Sequence, residues 1–454
     1  MNFRPPEFWA KSGAAGDLRN SPNLPGHIKP LAEFPSLVYP KCVRSTKCWQ
    51  LVLLLLGCGG PFLAYSQVDP IPRELIQVGY NASFEGHAPL AGYAFYYRNE
   101  PNFLHTNLTL RLAVAPTYLD SELGFSHLLG QNTDLGVGVA GGGFADSYSE
   151  IRDGIYHPNQ SFDGHGGEGS VSIYHCFNPD QQIPLNGVLR VAAHYSTYGA
   201  NDSTARDFRV PADDTMFFLR TGLRWGGKEP TLFPSLAMEL SIWYEGQYRI
   251  NPSTFGFATN NPAGDRRLES QSHLFWATAL LAYTMTNSGQ SFFVNLTAGT
   301  SVDADRFSAY RLGALLPMVS EFPLSLPGYY YQEISARQFV LLGGNYILPL
   351  DKRKRWNVNF TAATAGVDYL TGFQQPGDWL SGVGGGVLYE TSSLKIMAGY
   401  AYGIDAIRTG GRGAHSLGLL MQFDLGHAKQ NLLYPAELNR WRGWGRVFNG
   451  IFGQ

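Results

Sequence analysis

Apolar and polar residues alternate with a period of two from about residue 88 to residue 426. In residues 236–247, the apolar positions are every second residue from Leu236 to Tyr244, and polar residues such as Glu239 and Glu245 lie between them. Successive side chains of a β-strand point to opposite faces, so this alternation predicts strands with one apolar and one polar face. The pattern predicts about sixteen strands of roughly nine to fourteen residues, close to the length that a tilted membrane strand needs.

Turn sequences separate the predicted strands, for example Asn-Ser-Gly at 287–289. Long polar connections at 148–166, 197–214, 249–271 and 370–379 alternate with short turns. A soluble sandwich of this many strands would be very large, and the repeat of about 40 residues that a propeller needs is not seen. Lipid cannot satisfy the N–H and C=O groups of an open sheet edge. The pattern therefore predicts an all-β fold, a transmembrane antiparallel β-barrel.

Composition agrees with lipid contact on one face of each strand. Aromatic residues make up 14% of the chain and charged residues only 15%, against about 25% charged in typical soluble domains. The net charge is -2 and no long basic run occurs, so nucleic acid is not an expected partner. Outer-membrane lipid is the expected surroundings, and the expected location is the outer membrane of a Gram-negative bacterium.

The N-terminal segments predict export. Residues 43–66 combine Arg44 and Lys47, a short apolar run from 51 to 56 and a small-residue cleavage site at 64–66, which is typical of a signal peptide. The run ending at Cys58 also matches a lipidation site, and cleavage near Ser66 is favoured over it. We expect 1–42 to be a disordered extension or an upstream start, 67–87 a short lead, 88–426 the barrel, and 427–454 an interfacial tail anchored by Trp441 and Trp444.

A resemblance covers the last third of the chain. It rests on the order of the segments 307–316, 326–329 (Leu-Pro-Gly-Tyr), 339–350, 382–391, 394–402 and 416–425. This order resembles the barrel of the bacterial surface antigen family, which includes barrel assembly and translocation factors and two-partner secretion transporters. The resemblance implies a sixteen-stranded barrel whose Arg-Gly-Tyr/Phe loop precedes the twelfth strand. It makes Leu326, Pro327, Gly328 and Tyr329 candidates for a loop inside the lumen.

Two departures from the family separate this chain from its insertases and secretion transporters. Pro327 replaces the family's arginine, so the loop cannot be anchored by the same salt bridge. The short stretch between Gln67 and the predicted barrel leaves no room for periplasmic repeat domains that capture client polypeptides. The chain is therefore interpreted as a relative without these domains, acting as a channel or with envelope proteins as partners in assembly or translocation.

Charged residues on the polar strand faces are candidates for the lumen lining. Charges cost heavily in lipid but little in a wet or ion-paired lumen. They suit either internal ion pairs that stiffen the barrel or a selectivity lining for small polar solutes. The candidates are Arg111, Arg190, Arg220, Arg224, Glu239, Glu245, Lys395 and Asp424.

Motifs for catalysis or cofactor binding are weak. Gly136, Gly138 and Gly141 match a dinucleotide fingerprint by letter, but no helix follows, so a glycine-rich inward strand face is favoured. His157, Asp163 and His165 are expected in a solvated loop rather than at a metal. Cys176 is expected to be a free thiol, buried or facing lipid. We expect no enzyme activity, no cofactor and no metal.

Three functions remain to be distinguished. An inward Leu-Pro-Gly-Tyr loop would favour the surface-antigen type. A constriction loop from an early strand pair would favour a passive porin for small polar or hydrophobic solutes. A Ser or Asp within hydrogen-bond reach of His194 or His175 at a rim would favour a barrel hydrolase that acts on lipid or peptide.

Overall fold

The structure is a computed structural model, and it describes residues 71–181, 183–228, 231–257, 266–314 and 322–428. The predicted extension, signal peptide and most of the predicted tail, including Trp441 and Trp444, lie outside the described residues. No helix within these ranges is both long enough and apolar enough to cross a membrane.

Sixteen long strands form the wall across the described ranges. They are β1 (Arg73–Ser83), β2 (Ala91–Pro101), β3 (Leu108–Ala115), β4 (Tyr118–Gly130), β5 (Thr133–Gly142), β6 (Asp163–Cys176), β7 (Leu185–Gly199), β8 (Asp214–Gly227), β9 (Leu236–Arg249), β10 (Gln271–Thr284), β11 (Ser291–Val302), β12 (Ile334–Pro349), β13 (Trp356–Tyr369), β14 (Trp379–Glu390), β15 (Leu394–Arg408) and β16 (Gly411–Asp424).

Each strand pairs antiparallel with its neighbours in the chain, and β16 pairs with β1. The closing register runs from Leu75 opposite Asp424 to Ser83 opposite Ser416. Closure gives the edge groups of the first and last strands partners in the sheet, which an open sheet in lipid could not do. The predicted all-β fold, an antiparallel barrel of sixteen strands, is confirmed.

The wall is apolar outside and polar or small inside. On β9, Leu240 and Ile242 are 48% and 59% exposed, whereas Ser241 and Trp243, which alternate with them, are 4% and 5% exposed. The same alternation of exposed aliphatic and buried residues recurs around the barrel. Because the exposed set is the apolar one, the outer face has the chemistry that lipid contact requires.

The barrel begins earlier than the predicted boundary at residue 88. β1 lies inside the segment that was expected to be a short lead, with Ile76 and Tyr80 on the outer face and Gln77 fully buried on the inner face. The outward apolar set of this strand is short and is followed by polar residues, so its alternation is weak. The last strand ends at Asp424, close to the predicted boundary at 426.

Connections differ between the two ends of the barrel. The end that carries 143–162, 200–213, 250–270 and 303–333 is called the long-loop end, and the other the short-turn end. Small strand pairs order the long loops, such as Ile151–Arg152 with Ile155–Tyr156 and Phe208–Arg209 with Gly256–Phe257.

The connection between β11 and β12, residues 303–333, is called the inward loop. Within it, Tyr310–Leu312 pairs with the start of β12. Leu312, Leu326 and Tyr329 belong to one buried cluster with inward residues of β9, β10 and β12 to β16. The hydrophobic core of this barrel is therefore the packing between its own loop and its inner wall.

Candidate functional site in the barrel lumen

The tip of the inward loop, residues 326–329, lies against the inner faces of β14 and β15. Leu326 and Tyr329 are fully buried. The hydroxyl of Tyr329 donates to the carbonyl oxygen of Ser381 at 3.4 Å. Gly328 has a φ of +84°, which an L residue rarely adopts, and its backbone touches that of Gly403. The four residues that the resemblance selected thus lie together inside the barrel, between the eleventh and twelfth strands.

Two wall glycines make room for this tip. A Cβ atom at Gly382 would lie 2.0 Å from the carbonyl oxygen of Pro327, and a Cβ at Gly403 would lie 3.1 Å from the ring of Tyr329. Backbone can approach backbone this closely only where no side chain intervenes. Sequence reasoning missed both residues, because glycine is common on the inner face of these strands and its partner lies far away in the chain.

An arginine at the end of β15 secures the end of the inward loop. Arg408 at the end of β15 forms two bonds of 2.7 and 3.0 Å with the carboxylate of Glu333, at the end of the loop. The guanidinium also lies 3.7 Å from the ring centroid of Tyr330, and Tyr330 donates from its backbone to Glu333 at 2.7 Å. Both charged side chains are nearly fully buried. A guanidinium that makes two hydrogen bonds to one carboxylate fixes the relative orientation of the two groups and also neutralises their charges.

The beginning of the inward loop is secured by two further buried pairs. Arg306 lies 2.6 Å from Oε2 of Glu150, which comes from the loop between β5 and β6. Asp305 accepts from Arg249 at the end of β9 at 2.5 Å and from the hydroxyl of Ser308 at 2.9 Å. The loop is thus held at its start by pairs to β9 and to another loop, and at its end by the pair to β15.

The Glu150 carboxyl is ionised in this environment. Burial raises its pKa. Three influences lower the pKa by more than burial raises it: the charge and hydrogen bonds of Arg306, a hydrogen bond from Tyr148 and the charge of Arg152. The pKa therefore lies below its usual range. The pKa of the Tyr148 hydroxyl is raised, mainly by burial and next by Glu150. Glu150 therefore acts as the anion that compensates Arg306.

Aromatic rings of the wall and of the inward loop pack together in the lumen. Trp243 and Trp276 stack with centroids 6.2 Å apart, and Phe322 of the inward loop contacts both at 5.2 Å. The guanidinium groups of Arg224 and Arg220 lie 5.0 and 5.9 Å from these two indole rings. Phe322 of the inward loop therefore packs on two indole rings of the wall, which the two guanidinium groups also contact.

The charged residues that were predicted to line the lumen all lie on inward-facing positions of their strands, and most are paired within the wall. The distances are 2.7 Å for Arg190–Glu168, 2.6 Å for Arg220–Glu245, 3.5 Å for Arg224–Glu239, 3.4 Å for Arg111–Glu122, 3.0 Å for Lys395–Glu390 and 2.9 Å for Asp424–His427. Paired charges suit a stiff inner wall.

A cap of aromatic side chains covers the long-loop end. Its buried members come from three different connections, and Phe307 of the inward loop packs beneath them. The buried members are Tyr148, Phe162, Phe208, Phe255 and Leu268. The connection between β5 and β6 therefore lies over the inward loop and adds to the closure of this end.

A segment at the short-turn end also enters the lumen. Thr231 to Ser235, in the connection between β8 and β9, is called the strap. Leu232 is 3% exposed and packs on inward residues of β12, β14, β15 and β16. The strap thus starts at one wall and contacts the opposite one.

An Asp–His contact at a rim is the feature expected of a barrel hydrolase, and Asp146 supplies it. Nε2 of His194 lies 2.8 Å from Oδ2 of Asp146, and Ser196 donates to that same oxygen at 2.7 Å. A serine nucleophile needs the imidazole to accept its proton. Here the carboxylate lies between the two groups, so the arrangement is an internal hydrogen-bond network rather than a catalytic triad.

Other motifs occupy structural positions. Gly136 and Gly138 face inward on β5, and a Cβ at Gly136 would lie 2.7 Å from Glu122. Asp163 and His165 belong to β6 rather than to a loop, whereas His157 does lie in one. His175 contacts the hydroxyl of Thr133 at 2.8 Å, and Cys176 is buried and free. In the described part of the chain, no cluster of His, Cys, Asp or Glu could hold a metal ion.

Comparison with solved structures identifies similar barrels. CdiB from Acinetobacter baumannii matches 78% of this chain with a TM-score of 0.51 at 10% sequence identity, and this chain spans 60% of that protein. CdiB from Escherichia coli matches with a TM-score of 0.49 at 13% identity, covering 78% of this chain and 64% of that one. BamA from Haemophilus ducreyi, solved without POTRA domains 1–3, matches with a TM-score of 0.47 at 12% identity, covering 78% and 70%.

No protein-family model matches the sequence, and no curated protein matches it either. The structural likeness shows a shared fold. The closed sixteen-stranded barrel of this chain is similar to that of CdiB from Acinetobacter baumannii.

Proposed function

We propose that this chain is an outer-membrane barrel that handles polypeptides, in envelope assembly or protein translocation, and is not a passive diffusion channel. The observation that carries the proposal is the occupied lumen, where the inward loop is buried against the walls and held by Arg306–Glu150 and Arg408–Glu333. A diffusion channel needs a continuous water-filled path through its lumen. A lumen filled by its own loops suits a barrel that opens only when a substrate displaces them.

The fold supports the same proposal. CdiB from Acinetobacter baumannii has a similar barrel, with a TM-score of 0.51. The apolar outer face supports a location in a lipid bilayer, and β-barrels of this kind occur in bacterial outer membranes. With both chain ends of the wall at the short-turn end, that end would face the periplasm, where partner envelope proteins and client polypeptides are found.

Single-channel recording of the purified barrel in a planar bilayer tests the proposal. We expect no steady current from the barrel alone, and none after small sugars or amino acids are added. We expect discrete openings when a urea-denatured barrel polypeptide is added on the short-turn side. Heat-modifiable mobility on a gel confirms that the barrel is folded, so that an absence of current is not caused by denatured protein.

A steady, large current from the untreated barrel would overturn the proposal and favour the porin alternative. Silence in the presence of denatured polypeptide would also overturn it, because the substrate class would then be wrong. A charge-neutral soluble polypeptide of similar length serves as the control for openings that any added polypeptide would cause.

A further inference from the structure

The strap, residues 231–235, makes contacts that a periplasmic turn does not need for joining two strands. It connects the eighth and ninth strands, yet its partners Lys395 and Gln422 lie on the fifteenth and sixteenth. In a ring of sixteen strands these are nearly opposite walls. The short-turn end of the lumen is therefore crossed by a segment that docks at a distant site.

The docking site binds main-chain groups of the strap. Lys395 donates from Nζ to the carbonyl oxygens of Leu232 and Phe233 at 3.0 and 3.3 Å. The amide oxygen of Gln422 accepts from the backbone N–H of Leu232 at 2.8 Å. An N–H and two carbonyl groups are present in every polypeptide, so these contacts are independent of sequence.

One aliphatic side chain gives the site its selectivity. Leu232 enters a pocket formed by Ile347, Leu388, Met397 and Leu420, all nearly fully buried. Removing a leucine side chain from water is one of the stronger driving forces available to a single residue. The site therefore recognises a backbone segment that carries a bulky aliphatic residue.

The strap is a strained occupant of this site. Phe233 has a φ of +52°, in the left-handed region that bulky residues rarely adopt, and Pro234 follows it. Beside it, Gln77 is fully buried, donates to Gln422 at 3.0 Å and keeps an amide oxygen without a partner among the described residues. A segment that docked without this strain and donated an N–H to Gln77 would bind better than the strap does.

We propose that the site formed by Lys395, Gln422, Gln77 and the pocket around Leu232 binds an aliphatic segment of a client polypeptide, and that the strap is its built-in competitor. This rests on the proposed function, because the ligand class is the polypeptide that the barrel handles. The site lies at the short-turn end, where a polypeptide from the periplasm would first reach the lumen. Docking of the client releases the strap and so frees that end of the lumen.

Binding of a labelled peptide tests this proposal. The probe is a fluorescent peptide with the sequence of the strap, Thr-Leu-Phe-Pro-Ser, and its anisotropy is measured with the full barrel in lipid nanodiscs. We expect Leu232→Ser to bind the probe at least about tenfold more tightly than the wild type, since the strap variant loses its own leucine contact.

Two controls make the result specific. Lys395→Met in the Leu232→Ser background should abolish the gain, whereas Lys354→Met, an exposed lysine in the turn between β12 and β13, should leave it unchanged. A probe with aspartate in place of leucine should not bind. Heat-modifiable gel mobility confirms that each variant is folded.

Equal probe binding by the wild type and Leu232→Ser, or a Lys395→Met variant that binds as tightly as its parent, would overturn the proposal. These outcomes are separable from failure of the proposed function. If denatured polypeptide still opens the barrel while the peptide does not bind, the function stands and the site is wrong. If the peptide binds and polypeptide never opens the barrel, the proposed function fails.

Discussion

Arg306 and Glu150 form a pair in which both side chains are buried and each comes from a different loop. Removing one partner of such a pair leaves an uncompensated buried charge, which costs about 3–5 kcal/mol. We therefore expect Arg306→Met and Glu150→Gln each to loosen the cap strongly, and the double variant to loosen it less than the sum of the two. Hydrogen-exchange protection of Ser308 and its neighbours in the inward loop measures the effect.

The matched control for this pair is Arg337 with Asp368. These side chains lie 2.9 Å apart but are both about half exposed, so their pair is screened by solvent. Arg337→Met should leave the exchange of the inward loop unchanged. If Arg337→Met lost as much protection as Arg306→Met, the cap would be sensitive to the loss of any charge and not specifically to the loss of a buried one.

The ionisation of Glu150 makes the cap sensitive to acid. Its pKa in the folded protein is lowered, on balance, by Arg306 and neighbouring donors against the opposing effect of burial. A depressed carboxyl pKa contributes stability that is present above the unfolded value of about 4.3 and is lost as pH falls through the folded value. We expect proteolytic resistance of the cap to be constant from neutral pH to about pH 5 and to fall below it.

Glu150→Gln provides the comparison for acid sensitivity. This variant lacks the titrating group, so its cap should be weaker at neutral pH and should change less on acidification. A wild-type cap that loosened between pH 6 and 8 would assign the sensitivity to histidine instead.

The inward loop and the strands that hold it meet through backbone contacts at Gly382 and Gly403. We expect Gly382→Ala to displace the loop tip, because the new Cβ would lie 2.0 Å from the carbonyl oxygen of Pro327. Overpacking of this kind destabilises by about 1–3 kcal/mol. The measurement is hydrogen exchange at Gly328 and Tyr329, together with brief spontaneous openings in single-channel recordings.

Gly418→Ala is the control for Gly382→Ala. Gly418 also faces inward, on β16, and a Cβ there would have no atom within 4 Å. It should leave both exchange and current unchanged. If Gly382→Ala behaved in the same way, the tip would not be seated on the wall as the structure places it.

Strands and loops differ in how far their positions follow from local sequence. The wall strands could be predicted because period-two alternation is visible within each run, as from Leu236 to Tyr244. β1 was missed because its outward apolar set is short and because Leu75, on its inner face, is apolar as well. The contents of the lumen could not be predicted, since Glu150 and Arg306 are 156 residues apart and neither belongs to a periodic pattern.

The strap shows the same limit. Residues 231–235 show no period-two alternation, and nothing in that sequence points to partners on β15 and β16. The resemblance to the surface antigen family selected residues 326–329 as a lumen loop, but it assigned no contact with that loop to Gly382, Gly403 or Arg408. Those residues act through distant contacts that only a three-dimensional arrangement reveals.

The barrel as a whole depends on the pairing of its first and last strands. In this pairing Ala82 lies opposite Leu417, and a crosslink between the two positions tests the register directly. Directly opposed residues of antiparallel strands lie about 4.5–5.5 Å apart, within the reach of a disulfide bond. In a background without the native cysteines, we expect Ala82→Cys with Leu417→Cys to crosslink on mild oxidation, seen as altered mobility of the heat-denatured chain. Ala82→Cys with Gly418→Cys should not, because adjacent residues of a strand point to opposite faces.

Crosslinking of the second pair in place of the first would mean a register shifted by one residue. That shift would move the apolar residues of β16 from the outer face into the lumen, remove Gln422 from the strap, and leave the lipid-facing wall polar at its closing strand.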